Sequence, residues 1–391
     1  MSDVYIVSGA RTPMGGMLGV FSSLTAVELG TTAIAEAVKR SNIDAGKIED
    51  VIMGCVLPAG LKQGPARQAA IAAGIPKSTG AVTVNKLCGS GMQATIYAHD
   101  QIKAGSCDII VAGGMESMTN APHIVLNARK GVGTGGKALE DHMFIDGLQD
   151  AYSGRMMGSF AQQTADDNNF TREQMDAYAI ESLTRARAAI ENGSLKAETA
   201  PVTVKTRKGE TLVSDDEQPL KAMLEKVPTL RPAFAKDGTI TAANASSISD
   251  GASAMVLMSE KALKESGATP MARIVAHTRQ SLDPELFTTA PVGAMQKLLA
   301  KTGWSKDDVD LWEINEAFAM VTMLAIRDLE LDHSKVNVHG GACAQGHPVG
   351  STGSRIIISL IYALQQYGKK RGIASLCIGG GEALAVAIEL V

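Results

Sequence analysis

A chain of 391 residues, 45% hydrophobic and 20% charged, can build two or three packed units, and its composition excludes extended disorder. A net charge of −4 without a basic stripe argues against a nucleic-acid partner, and no apolar stretch reaches the ~18 residues that a membrane crossing needs. Five cysteines, at 55, 88, 107, 343 and 377, form no C-x-x-C pair and leave one over, which argues against a disulfide framework and for a reducing compartment.

Val4-Tyr5-Ile6-Val7 reads as a strand, with no basic and apolar leader before it, and the end at Ile388-Glu389-Leu390-Val391 has no targeting tail. A cytoplasmic protein is expected. Thr25-x-x-Glu28 is a capping box opening a helix to about Arg40, and Val51 to Gly54 is a second strand. Val82–Val84 and Ile109–Ala112 are further strands, with a helix from about Gly91 to Lys103 between them. This is α/β alternation.

From about Glu116 to Ser249 the pattern breaks into Gly-rich and charged stretches, including 130–137 and 205–218, although Thr171 to Gln174 caps another helix. The expectation is a loop domain over 119–248 that carries substrate contacts, inserted into a first half formed by 1–118 and 249–270. The second half, 271–391, repeats the first. A shift of 261 lays Ile34 on Met295, Val38 on Leu299, Ile48 on Val309 and Gly89-Ser90 on Gly350-Ser351. A few inserted residues later, Val111-Ala112-Gly113-Gly114 is matched to Cys377-Ile378-Gly379-Gly380.

Gly131 to Gly136 fits G-x-G-x-x-G, but follows Asn127-Ala128-Arg129-Lys130 instead of a strand, so it is a weak nucleotide motif. No H-E-x-x-H or paired Cys/His spacing is present, and no metal is expected; His99, His123, His142, His277 and His333 read as surface or core residues. Cys55 and Cys107 adjoin strands and read as small buried hydrophobes.

The chemistry concentrates in four segments. Asn85-Lys86-Leu87-Cys88-Gly89-Ser90-Gly91 puts a cysteine at a helix start, where unpaired N–H groups favour thiolate; a buried structural cysteine fits the turn equally well. Gly346-His347-Pro348-Val349-Gly350 wraps an imidazole in glycine, placed to take a thiol proton. Cys377-Ile378-Gly379-Gly380-Gly381 ends a strand with a second thiol, and Asn315-Glu316-Ala317-Phe318-Ala319 offers an amide that either holds an oxygen or caps a helix.

These four blocks, in this order, with Arg231-Pro232-Ala233-Phe234 and Asp237-Gly238-Thr239 to Ser246, resemble the thiolase family over the full length of the chain. The resemblance implies two βαβαβαββ halves in a five-layer α/β/α/β/α core and a homo-oligomer, tetramer before dimer. It implies acyl transfer between CoA thioesters, with two acetyl-CoA interconverting with acetoacetyl-CoA and CoA. No cofactor is implied, CoA being a substrate. Cys88 would carry the acyl group, His347 activate it and Cys377 move the α-proton. Oxyanion sites would come from His347 with Asn315, and from the backbone N–H groups of Cys88 and Gly379. Leu148, Met157, Phe234, Ser246 and Phe318 would line the CoA and acyl path. Met156, Phe287, Ser247, Ser249 and Glu382-Ala383 depart from the usual pattern or fall where acyl length is set. The alternatives are a degradative thiolase acting on longer 3-ketoacyl-CoA, a decarboxylating ketoacyl synthase, against which Cys377 argues, and an inactive scaffold, against which the complete set argues.

Overall fold

The computed structural model describes residues 3–207 and 209–391; Met1, Ser2 and Lys208, the last inside the charged stretch 205–218, lie outside the described residues. After β1 (Val4–Arg11), α1 (Ala26–Ser41) begins where Thr25 and Glu28 cap each other: each backbone N–H donates to the other's side chain, at 2.8 and 3.3 Å. It ends at Asn42, which takes the left-handed conformation with φ 54°. Next come β2 (Asp50–Gly54), α2 (Pro65–Ala72), β3 (Gly80–Val84), α3 (Ser90–Ala104) and β4 (Ile109–Ser117). The middle segment holds α4 (Met157–Asp167), α5 (Arg172–Glu191) behind its own capping box at Thr171, and a hairpin of Val202–Thr206 with Gly209–Val213. The chain then returns to the core as β5 (Ser249–Ser259) and β6 (Ala272–Ser281). Further along are α6 (Ala290–Thr302), β7 (Leu311–Ile314), α7 (Ala319–Asp328), α8 (Thr352–Gln366), β8 (Arg371–Ile378) and β9 (Glu382–Leu390), with shorter elements between.

Among the described residues the main sheet has ten strands, in the order β7-β8-β9-β6-β1-β5-β4-β2-β3, with Gly15–Gly16 added beside β5. The two sides match. β2 pairs in parallel with β3 and β4, and β7 in parallel with β8, while a lone parallel bridge from Trp312 to Val336 stands where β3 flanks β2. β4 with β5 and β8 with β9 run antiparallel, and β1 meets β6 at Tyr5↔Arg273 and Ile6↔Ala272.

Strands apolar on both faces must be covered on both. Ile110 and Ala112 of β4 face a central core with Met92 and Ile96 of α3 and Ile356, Ile357 and Leu360 of α8. Ile109 and Val111, on the other face, join Leu29 and Ile34 of α1. In the second half Met295 and Leu298 of α6 cover Trp312, Ile314 and Ile373. The result is five layers, α/β/α/β/α, with α3 and α8 innermost. Each large aliphatic side chain buried in them contributes about 1.5–3 kcal/mol. The two inner helices touch through glycine: a Cβ on Gly353 would lie 2.4 Å from the Met92 nitrogen.

One part of the repeat is out of register. The ladders pair Asp50 with Ile110 and Leu311 with Gly372, so Gly113-Gly114 correspond to Ser375-Leu376 and not to Gly379-Gly380. Cys88 and Cys377 are therefore not repeat equivalents. Cys88 corresponds to Val349, in the turn before α8, whereas Cys377 lies within β8, opposite Ala383 of β9. Among the described residues no helix is long and apolar enough to cross a membrane.

Candidate active site

The turn from β3 to α3 is held by its own polar groups. Asn85 Oδ1 accepts from the Leu87 N–H at 2.9 Å; Ser90 Oγ accepts from the Lys86 N–H at 2.8 Å and donates to the Leu87 carbonyl at 2.7 Å. This holds Leu87 at φ 46°, a left-handed conformation that costs a non-glycine residue of order 1 kcal/mol or more. Cys88 follows, part-buried, with N–H groups of Gly379 and of Cys88 itself directed at its sulfur. Gly89 lets the second half approach, since a Cβ there would sit 2.4 Å from Ile378 Cδ1.

Burial pushes the Cys88 thiol up to about 11, against those two N–H groups and with the Glu116 carboxylate adding to the rise. The helix start alone suggests a thiolate; desolvation outweighs it, and the sulfur stays protonated at neutral pH until a base takes the proton.

A base lies across the cavity. The His347 N–H donates to the Ser247 carbonyl at 3.2 Å and to Ser249 Oγ at 3.3 Å. Thr352 Oγ1 donates to the Pro348 carbonyl at 3.0 Å, so at 2.7 Å from His347 Nδ1 it accepts from that nitrogen. The network thereby assigns the lone pair to Nε2, which has no partner among the described residues. Burial, with the Arg355 guanidinium adding to it, drives His347 down to about 3, leaving a neutral imidazole able to accept.

Asn315 directly follows β7, its N–H donating to the Ser375 carbonyl at 2.9 Å. It is 1% exposed, and neither amide atom of its side chain has a partner among the described residues. It does not cap α7, whose N-cap is Phe318, so the capping alternative drops away. Cys377 is fully buried in a cluster with Phe287 and Phe318, and burial with the nearby Cys88 sulfur pushes its thiol well above the ordinary range.

A cavity of about 560 Å³ opens onto these groups. Cys88, His347 and Gly379 line it, as do Leu148, Met157, Phe234, Ser246 and Phe318; Cys377 is not in the lining but packs with Met157, Phe287 and Phe318, which are. Sequence reasoning passed over several supports. Glu116, fully buried and raised to about 7 by burial against its hydrogen bonds, accepts from the N–H groups of Val56, Leu57 and Gly350 at 2.9, 3.1 and 2.9 Å, fastening the His347 turn to the first half. Its one signal is a carboxylate ending an otherwise apolar strand. Glu316 likewise accepts from Tyr178 and Ser182 of α5 at 3.0 and 2.8 Å.

The thiolase N-terminal domain family matches residues 4–261 and the thiolase C-terminal domain family residues 268–390. The chain belongs to the thiolase family. An acetyl-CoA acetyltransferase of Schizosaccharomyces pombe is 45% identical across 100% of this chain and 99% of its own, and acetyl-CoA acetyltransferase 2 of Arabidopsis thaliana is 47% identical across 100% and 97%. Among solved structures, a thiolase from Ascaris suum in complex with coenzyme A superposes with a TM-score of 0.94 at 44% identity, each chain covered completely. The acetyl-CoA acetyltransferase of Bacillus anthracis gives 0.97 at 40% identity, covering 100% of this chain and 99% of its own.

Against that family the departures acquire physical roles. Ser247 and Ser249 hold the His347 backbone, and a Cβ on Gly346 would strike Ser249 Oγ. Met156 and Phe287 both line the thiolase cavity. Glu382 pairs with Lys86 at 2.6 Å, beside the nucleophile turn.

Proposed function

We propose that this thiolase transfers acetyl groups between CoA thioesters, interconverting two acetyl-CoA with acetoacetyl-CoA and CoA. One observation carries the reading: a part-buried thiol and the lone-pair nitrogen of a neutral imidazole face the same cavity, with a second thiol just behind. His347 Nε2 takes the Cys88 proton as sulfur attacks the thioester carbonyl, and CoA leaves as the thiol after reprotonation. Cys377, left as the thiolate once its proton has gone to the departing CoA sulfur, removes an α-proton from a second acetyl-CoA; the resulting carbanion attacks acetyl-Cys88, and the Cys88 sulfur departs and recovers its proton from His347. In thiolysis the same groups run backwards. In this reading the N–H groups of Cys88 and Gly379, and Asn315 with His347, receive the negative oxygens that develop.

CoA enters as a substrate and no cofactor is required. Leu148, Met157, Phe234, Ser246 and Phe318 suit its pantetheine and acyl parts. An adjoining cavity of about 290 Å³, sharing Gln218, Ala242 and Ser247 with the first and lined by Lys221 and Lys226, suits its phosphates. In this reading 119–248 is the CoA-holding unit, between halves of 1–118 with 249–270 and 271–391. A homo-oligomer, tetramer before dimer, is supported by two features. Val82 on edge strand β3 is 44% exposed, and Leu126, Val132 and Leu139 on the arm of the middle segment are 51, 54 and 66% exposed.

The acyl end is crowded by Met156, Met157, Phe287 and Phe318, which favours acetoacetyl-CoA over longer 3-ketoacyl-CoA. Comparing kcat/KM for thiolysis of acetoacetyl-CoA and a medium-chain series tests this. A higher value for the medium chains would replace the acetyl-specific reading with that of a degradative thiolase.

A further inference from the structure

Spacing along the chain sets His99 and His277 aside, because neither has a metal-ligand partner at motif distance. The fold brings them together across the two halves. His99 is buried on α3; His277 is on β6, its side chain 21% exposed. Asp100 accepts from both rings through a single oxygen: His99 Nδ1 lies 2.8 Å and His277 Nε2 2.9 Å from Oδ1. The rings meet edge to face, centroids 5.1 Å apart at 85°. One ligand atom from each of the three residues falls within 4.8 Å of the other two.

We propose that His99, Asp100 and His277 form a divalent metal site of the zinc type, clasping the helix that follows Cys88 to a strand of the second half. Two imidazole nitrogens and one carboxylate oxygen are a donor set used by four-coordinate zinc, leaving one position for water. A metal about 2.0–2.2 Å from each donor sets the donors roughly 3.3–3.5 Å apart. The two nitrogen–oxygen contacts must therefore open by about half an ångström, within reach of small side-chain rotations. A neutral ring binds through the nitrogen that now donates to Asp100, its proton moving to the other ring nitrogen, so the exchange releases no proton.

The local charges suit a cation at one point and resist it at another. Asp100 offers its carboxylate oxygen to both rings, at 2.8 and 2.9 Å, so the three donors already converge on one point. Lys103 adds positive charge near His99, offset by Asp3 at 3.7 Å, and Lys301 Nζ donates to the His277 carbonyl at 3.1 Å. Moderate affinity follows, and selectivity for the nitrogen-preferring metals over magnesium or calcium.

The test uses metal-free, full-length protein whose accessible thiols are blocked with iodoacetamide, titrated with Zn(II) by calorimetry and with Co(II) by visible absorption. One site per chain is expected, with four-coordinate Co(II) bands lacking thiolate charge transfer and a Zn(II)-dependent rise in melting temperature. His277→Gln should bind at least about tenfold more weakly and lose that rise. Asp100→Asn, at a half-exposed position, gives a second reading should His277→Gln melt early without metal. Absence of saturable binding, unchanged affinity in both variants, or thiolate charge-transfer bands would each overturn the site.

Discussion

The turn before α3 and the turn before α8 stand in corresponding places, and each needs a glycine where the chains crowd: a Cβ on Gly89 meets Ile378, and one on Gly350 meets Glu116. Their chemistry differs. At the position of Val349 the first half has Cys88, and at the position of His347 it has Lys86. The first turn is braced internally, by Asn85 and Ser90, and leaves its sulfur part-exposed to the cavity. The second is braced by its own Thr352 and from outside by Ser249 and Glu116, and buries its imidazole to 6% exposure. A duplicated scaffold supplies two helix starts; divergence puts a thiol on one and a neutral imidazole before the other.

The largest effects should come from the two thiols, which the duplication did not place in equivalent positions. Cys88→Ala removes the covalent carrier, and both label transfer from acetyl-CoA to protein and acetoacetyl-CoA formation should fall on the order of 10⁴-fold or more. Cys377→Ala should still take up the label, while condensation falls about 10² to 10⁴-fold. Condensation at near wild-type rate in folded Cys377→Ala would dissolve the division of labour between the thiols and favour a single-cysteine condensing mechanism.

Next in size is Asn315→Ala, because the amide is buried and makes no side-chain hydrogen bond within the described protein. Removing one oxyanion support should lower kcat by about 10² to 10³-fold. Melting temperature should hold or rise, since an unpaired buried amide is itself costly. A fall in both quantities would mean that Asn315 is structural.

The two turns should also separate by pH. With the Cys88 thiol raised to about 11, its alkylation by iodoacetamide in free enzyme should climb from about pH 7 to 10 without a plateau. Levelling below about pH 9 would show that N–H groups outweigh burial after all. Stability linked to this raised thiol is full below its ordinary value of 9 and declines as pH rises toward 11. His347 acts at the other end: as pH falls through 6.5 the unfolded imidazole binds a proton that the buried one refuses until about 3, so stability declines across that window.

Much of this was legible because local and global signals agree. The caps at Thr25 and Thr171 and the apolar runs of β1 and β4 agree with an α/β chain, and the internal repeat gives two similar halves; the five layers came only from the resemblance to thiolases. What escaped depends on contacts distant in sequence. Glycine pairs look alike wherever they fall, so Gly113-Gly114 was set against Gly379-Gly380 until the ladders fixed the register. Nothing local marks Glu116 as the acceptor for Gly350, or brings His99 to His277. The Cys88 thiol shows the same divide: a helix start is visible in sequence, and the burial that pushes the thiol up is not.

The smallest predicted effect tests whether the nucleophile turn is as self-sufficient as its hydrogen bonds suggest. Lys86 Nζ lies 2.6 Å from Glu382 Oε2, and Ser281 Oγ donates to the other carboxylate oxygen at 3.2 Å, tying the turn to the start of β9. With side chains 23% and 31% exposed, the pair is partly screened and worth about 0.2–1 kcal/mol. Glu382→Gln keeps the side-chain shape and an acceptor for Ser281 while removing the charge. Stability should fall by under about 1 kcal/mol and kcat by less than about fivefold, with both differences shrinking in high salt. Asn85 and Ser90 would then suffice to hold Leu87 and Cys88. A loss beyond about a hundredfold in kcat with the melting temperature intact would show instead that the nucleophile turn, like the His347 turn, is positioned from the other half.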